Sequence, residues 1–289
     1  MLTWKTFSRI LRGVNLSIDY PVVKSLLKNK ILYLAGLINE ELRHMEEWRE
    51  LSRRRKLQLD ALKEFAEVAE SLGVRYVVIK TFKLFPYAPD DVDILILDHD
   101  RINDLMVELT KRRYRVRSKG TPEITLGKTA SKTYVDLDIH HKIAAGEYIY
   151  YPTQLLWNNR RKITIDNIEL YVDSWEDECV ITMAHGVMKE FEILASDLLH
   201  TLLCKKRGVI KLEHLVKTGH IMTYEIFSKL QRLIISNNID LPYKVPLWNV
   251  AMIYTYHINH RMHYEGLKPM YELLRFPKAK GINKLLFRK

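Results

Sequence analysis

Tyr76–Leu97 reads YVVIKTFKLFPYAPDDVDILIL, a short apolar run, an interruption with two prolines, and a second apolar run entered by two aspartates one residue apart. Side chains alternate along a strand, so Asp91 and Asp93 share one face while Val92 turns toward the core. Two carboxylates on one face repel unless a cation or a proton lies between them. A hard divalent ion such as Mg²⁺ prefers such oxygen ligands. Tyr134–Ile143, YVDLDIHHKI, repeats the device and places Asp136 and Asp138 on one face. A third carboxylate meeting the first pair would complete a metal site of the kind used in phosphoryl transfer.

Outward from this stretch, the texture predicts helices on both sides of a sheet. Residues 1–30 read as one or two short helices broken at Asp19-Tyr20-Pro21, and residues 31–72 as one long helix or two nearly continuous ones, closed by Gly73. From Val74 to about Asp173 short alternating or apolar runs predominate, with a helix at Arg101–Arg113 and a hairpin turning at Asp166-Asn167. A mixed sheet of about five or six strands with helices packed on it follows. Ser174 caps a new helical region that runs toward the end of the chain. The fold class is α+β, in three segments: an N-terminal helical segment (1–72), an α/β domain (73–175) and a basic C-terminal helical domain (176–289).

No apolar run approaches the roughly 20 residues that span a bilayer. The N-terminus lacks a signal core, and Cys179 and Cys204 have no CxxC spacing. A reduced, cytoplasmic protein with no membrane partner is expected. The net charge of +11 is uneven: residues 205–289 hold 16 Lys/Arg against 5 Asp/Glu, and the rest of the chain balances. Such a surplus suits a polyanionic backbone, RNA above all; the bland reading is the solvated surface of a charge-rich, thermophile-like protein, archaeal in composition.

The order of parts resembles the uncharacterised prokaryotic and archaeal nucleotidyltransferases of the DxD…DxH type. The matching motifs are Val77-Val78-Ile79-Lys80, Asp91-Val92-Asp93, Arg113-Tyr114, Asp138-Ile139-His140, Ser174-Trp175-Glu176-Asp177 and His185. The resemblance covers about residues 60–205 and implies a nucleotidyltransferase-like sheet. It implies that Asp91 and Asp93 hold Mg²⁺ against a nucleoside triphosphate, with Asp138 as the third carboxylate or as base; Asp136 is the runner-up. Lys80 and Thr81 would lie at the nucleotide. The phosphate-binding turn departs from the family: Lys80-Thr81-Phe82 stands where Lys-Gly is usual, and no glycine occurs from Val74 to Lys119. His185 and Asp197 read as packing residues, and His140-His141 as metal or phosphate contacts or as hydrogen-bonded structure.

Several basic and aromatic residues are candidates for RNA contact. Arg115, Arg117 and Lys119 are expected on one strand face, and Tyr256 and Arg261 on a late helix beside His257, His260 and His263. Lys278 and Lys280 lie in a basic tail. Two readings follow. The first is an Mg²⁺-dependent nucleotidyltransferase acting on RNA, such as tRNA, or on a protein. The second is a catalytically silent scaffold that binds structured RNA or the ribosome, with a homodimer natural if the long N-terminal helix pairs.

Overall fold

The computed structural model describes residues 2–14, 19–120, 123–130, 133–145 and 148–259. Its centre is a 7-stranded mixed sheet. The strands in chain order are β1 (Tyr76–Ile79), β2 (Val92–Ile96), β3 (Arg115–Lys119), β4 (Glu123–Ala130), β5 (Thr133–His140), β6 (Arg161–Ile165) and β7 (Ile168–Val172). Across the sheet they lie in the order β3-β4-β5-β2-β1-β7-β6. β5 runs parallel to β2, and β1 parallel to β7; the other neighbours are antiparallel.

Period-2 alternation divides the sheet into two faces. Val78, Ile94, Leu126, Leu137 and Ile139 point to one side, where they bury with Leu62, Phe65, Ala66 and Ala69 of the helix Glu46–Leu72 and with Leu105 and Leu109 of the helix Ile102–Lys111. Leu62, Phe65, Ala66 and Ala69 recur at helical spacing, which is why that helix forms there. Gly73 ends it at φ 65, a left-handed conformation with little cost for glycine. Val77, Ile79 and Leu95 point to the other side and join a second core under the C-terminal helices.

The N-terminal helices and the helix Ile221–Ser236 share that second core. Phe7, Ile10, Leu26 and Leu32 bury beside Phe227, Leu230 and Ile234, and Leu2–Thr3 pairs with Asp240–Leu241. Asn29, fully buried, ties the halves: its amide donates to the carbonyl of Leu241 (3.1 Å) and accepts from the N–H of Ala195 (3.0 Å).

Three expectations need adjustment. The stretch 31–72, expected as one helix or two nearly continuous ones, forms three, Leu32–Ile38, Glu40–Arg43 and Glu46–Leu72, and the side chain of Asn39 caps the second by accepting from the N–H groups of Glu41 and Leu42. The helical region expected after Ser174 is interrupted after the helix Trp175–Ala184 by a π-helical turn, His185–Glu190, and by Phe191 at φ 56. Helix resumes only at Ala195. A short hairpin, Ile143–Ala145 with Tyr148–Tyr151, was not anticipated. The Asp166-Asn167 turn forms as expected, both residues at positive φ, and Ser174 caps its helix by accepting from the N–H of Asp177 at 3.0 Å.

Candidate active site

Strand register assembles the site. Asp93 of β2 pairs with Asp138 of β5 and, on the outer side, Asp138 pairs with Thr125 of β4. Leu95, His140 and Glu123 form the next row on the same face. Asp93, Asp138 and His140 each present a ligand atom, and the three atoms lie within 4.8 Å of one another. His140 Nε2 is 2.6 Å from Asp93 Oδ1, and its Nδ1 lies 3.5 Å from Glu123 Oε2.

Lys80 closes the group from β1. Its Nζ is 2.7 Å from Asp93 Oδ1. Burial opposes the ammonium charge, but Asp93, Tyr150 and Asp91 outweigh it and the lysine pKa is raised. Burial likewise opposes ionisation of Asp93, yet Lys80 and His140 hold its carboxyl well below the usual range. Asp91 precedes β2 and lies outside the trio of ligand atoms. Its pKa is raised by burial and by Asp93. Asp138 is pushed up to about 7, by burial first and then by Asp91, with Thr125 working the other way. Its Oδ1 is buried with no hydrogen-bond partner among the described residues.

These residues fit a divalent cation. Two carboxylates and an imidazole nitrogen converge, and one carboxylate oxygen is left unpaired. The mixed oxygen and nitrogen donor set suits Mn²⁺ as well as Mg²⁺.

The phosphate-binding turn shows what replaces glycine. Lys80 itself adopts φ 55, and its backbone N–H donates to Glu178 Oε2 at 2.9 Å. Glu178 is fully buried. Thr81 is also buried and its hydroxyl donates to the carbonyl of Ile79, so neither group faces an open phosphate site. The π-helical turn brings two more basic side chains close. Lys189 Nζ is 3.9 Å from Glu123 Oε2, and His185 Nδ1 is 3.4 Å from the Tyr150 hydroxyl. Burial, reinforced by Lys80 and Lys189, keeps His185 neutral.

The expected basic candidates fall in several places. Arg115, Arg117 and Lys119 are exposed on β3, but a bulge between Val116 and Ser118 breaks their alternation. Arg115 pairs with Gly127, on the site face, and Lys119 with Ile124, on the opposite face. The three therefore do not share one face. Arg117 binds Asp136 (2.7 Å) and lies over the Tyr134 ring, which takes Asp136 out of the metal cluster. Tyr256 is half-buried on the helix Leu247–Asn259. Arg261, Lys278 and Lys280, with His260 and His263, lie outside the described residues. His257 is buried with its Nδ1 2.7 Å from the Tyr148 hydroxyl.

Glu123, Thr125, Lys189 and Glu178 went unread in the sequence. The alternation of Glu123-Ile124-Thr125 is a strand signal, yet only the pairing of β4 with β5 puts it opposite Asp138.

A family profile described as "Uncharacterised nucleotidyltransferase" matches residues 33–200. A search of curated proteins found no match. Among solved structures, the chain is similar to the antibiotic-resistance factor ANT(2'')-Ia, with 12% identity, a TM-score of 0.40, and coverage of 63% of this chain and 98% of that one. A second structure of the same factor, in complex with adenylyl-2"-tobramycin, gives 12% identity and a TM-score of 0.39, covering 63% and 99%. An antigenic nucleotidyltransferase-like protein from Paracoccidioides brasiliensis gives 13% identity and a TM-score of 0.32, covering 80% and 96%. Among the described residues no helix is long and apolar enough to cross a membrane.

Proposed function

The chain belongs to the family of uncharacterised nucleotidyltransferases, and from its acidic cluster we infer that it transfers a nucleotidyl group from a nucleoside triphosphate to a hydroxyl of structured RNA. The observation that carries this reading is the convergence of Asp93, Asp138 and His140 with an unpaired oxygen on Asp138. A divalent ion, Mg²⁺ or Mn²⁺, held by these three residues would neutralise charge on the phosphoryl oxygens. In the transfer, the acceptor oxygen bonds to the α-phosphorus as the bond to the pyrophosphate oxygen breaks. The hydroxyl proton passes to a carboxylate of the cluster. Lys80 and Lys189 supply positive charge beside the carboxylates. RNA as acceptor rests on the basic surplus of the last third of the chain.

One observation favours the silent RNA-binding reading. Glu178 occupies the backbone donor at Lys80, where a bound phosphate would otherwise be accepted, and Lys80 is spent on Asp93.

Labelled nucleoside triphosphates, Mg²⁺ or Mn²⁺ and total cellular RNA discriminate the two. Incorporation by the wild type, reduced about 10²-fold or more in Asp93→Asn and Asp138→Asn, is expected for the enzyme. Absent incorporation, with salt-sensitive RNA binding equal in all three proteins, would leave the binding role.

A further inference from the structure

The loop between Lys80 and Asp91 has a second side. Against it lies a cavity of about 470 Å³ whose lining includes the rings of Tyr33, Phe82, Phe85 and Trp175 and the guanidinium groups of Arg55 and Arg207. None of the acidic-site residues lines it. This size falls in the range of small-molecule sites, which combine apolar walls with a few placed polar groups.

One cation of the cavity is uncompensated. Lys83, which also lines it, is balanced by Glu178 (3.6 Å) and Asp197 (3.9 Å). Arg55 has no such balance among the described residues. Its guanidinium lies 5.1 Å from the centroid of Phe82, and its Nη1 is buried with no hydrogen-bond partner among the described residues. Burial pulls its pKa down to about 10, with only Tyr33 and Tyr87 acting in the other direction. A buried guanidinium without an acid costs stability, and an unpaired N–H is the group a ligand oxygen would satisfy. Arg207 adds a second, exposed cation at the rim.

The loop is also held from both sides. Gln58 Nε2 donates to the carbonyl of Pro89 at 2.9 Å, and the N–H of Leu84 donates to His200 Nδ1 at 3.3 Å. The cavity is thus preformed, which spares a ligand the cost of ordering its walls.

We propose that this cavity binds a small planar aromatic anion, its ring against the aromatic wall and its phosphate or carboxylate on Arg55. The shared chemistry admits two sources, a nucleoside monophosphate or an aromatic carboxylate. The site is distinct from the acidic cluster, and the proposal does not depend on the transfer reaction.

Calorimetric titration of the full chain in EDTA, with adenosine monophosphate and with 4-hydroxybenzoate as probes, tests it. At least one probe should bind saturably, at one per chain, and tell the two sources apart. Arg55→Met and Phe82→Ala should each weaken that probe about tenfold or more, whereas Asp93→Asn should leave it unchanged. If Arg55→Met does not fold, Arg207→Glu decides, since that exposed position carries no packing: weaker binding supports the site and equal binding overturns it. No saturable binding of either probe at millimolar concentration overturns the proposal. So does affinity untouched by Arg55→Met and Phe82→Ala, or binding lost in Asp93→Asn, which would place the ligand at the acidic cluster instead.

Discussion

Asp138 shows how much one side chain can report. In an unfolded chain it would ionise near pH 4, whereas in the fold it holds its proton to about 7. Between those values the folded state binds the extra proton. This contribution to stability is therefore fully present below about pH 4, declines as pH rises to about 7, and is flat beyond. Asp138→Asn removes the titration. Urea melts should find the variant equal to wild type at pH 4 and more stable by about 1–2 kcal/mol at pH 8, the full shift being discounted for a half-exposed group. A variant less stable at pH 8 would mean that Asp138 is paired rather than repelled. The aspartates of both DxD runs were legible in the sequence because strand alternation is local. Their neighbours Glu123, Thr125 and Lys189 were not, because they arrive through strand register and a π-turn that no local pattern encodes.

At the scale of elements, close approach constrains residue choice as much as propensity does. Gly36 lies in the helix Leu32–Ile38, where alanine is ordinarily the better helix former. Here a Cβ would stand 2.1 Å from Trp48 Cδ1. That ring cannot easily retreat, since Trp48 Nε1 donates to the carbonyl of Tyr33 at 3.0 Å and the ring stacks on Tyr33. Gly36→Ala is therefore expected to destabilise by about 1–3 kcal/mol; an unchanged or raised melting temperature would show that the indole has room to shift. The sequence pattern located the long helix, its glycine cap, the Asp166-Asn167 hairpin and the Ser174 cap, all of which are written within a few residues. The breaks at Asn39 and Phe191 escaped it. Each is imposed by partners, a capping amide in one case and pairing of Glu192–Ile193 with Tyr243–Lys244 in the other.

In the whole molecule the N-terminal helices and the described C-terminal helices are one structure. Asn29 is the clearest tie, since its side chain serves Leu241 and Ala195 together, and Ser196 N–H reaches its carbonyl at 3.3 Å. Asn29→Ala leaves a buried carbonyl and a buried N–H unpaired, at a cost of about 2–4 kcal/mol. Thermal unfolding followed by far-ultraviolet dichroism and by tryptophan fluorescence should shift together in this variant. Two separated transitions would show that the N-terminal helices and the C-terminal helices melt independently. Apolar periodicity identifies that each segment has a core face, but says nothing of which distant face will cover it.

The row of Asp93, Asp138 and Thr125 across three strands has a consequence for how the sheet finds its pairing. On β5 the alternate residues Leu137 and Ile139 are fully buried on the opposite face. A slip of one residue would drive Asp138 and His140 in among Ile94, Leu126 and Phe65, and turn those two apolar side chains outward. A carboxylate stranded there costs several kcal/mol, so the acids act as an error check on assembly. Neutral substitutions at these positions would narrow the gap between the native sheet and its misaligned competitors, and an inactive variant should be examined for folding fidelity as closely as for lost chemistry.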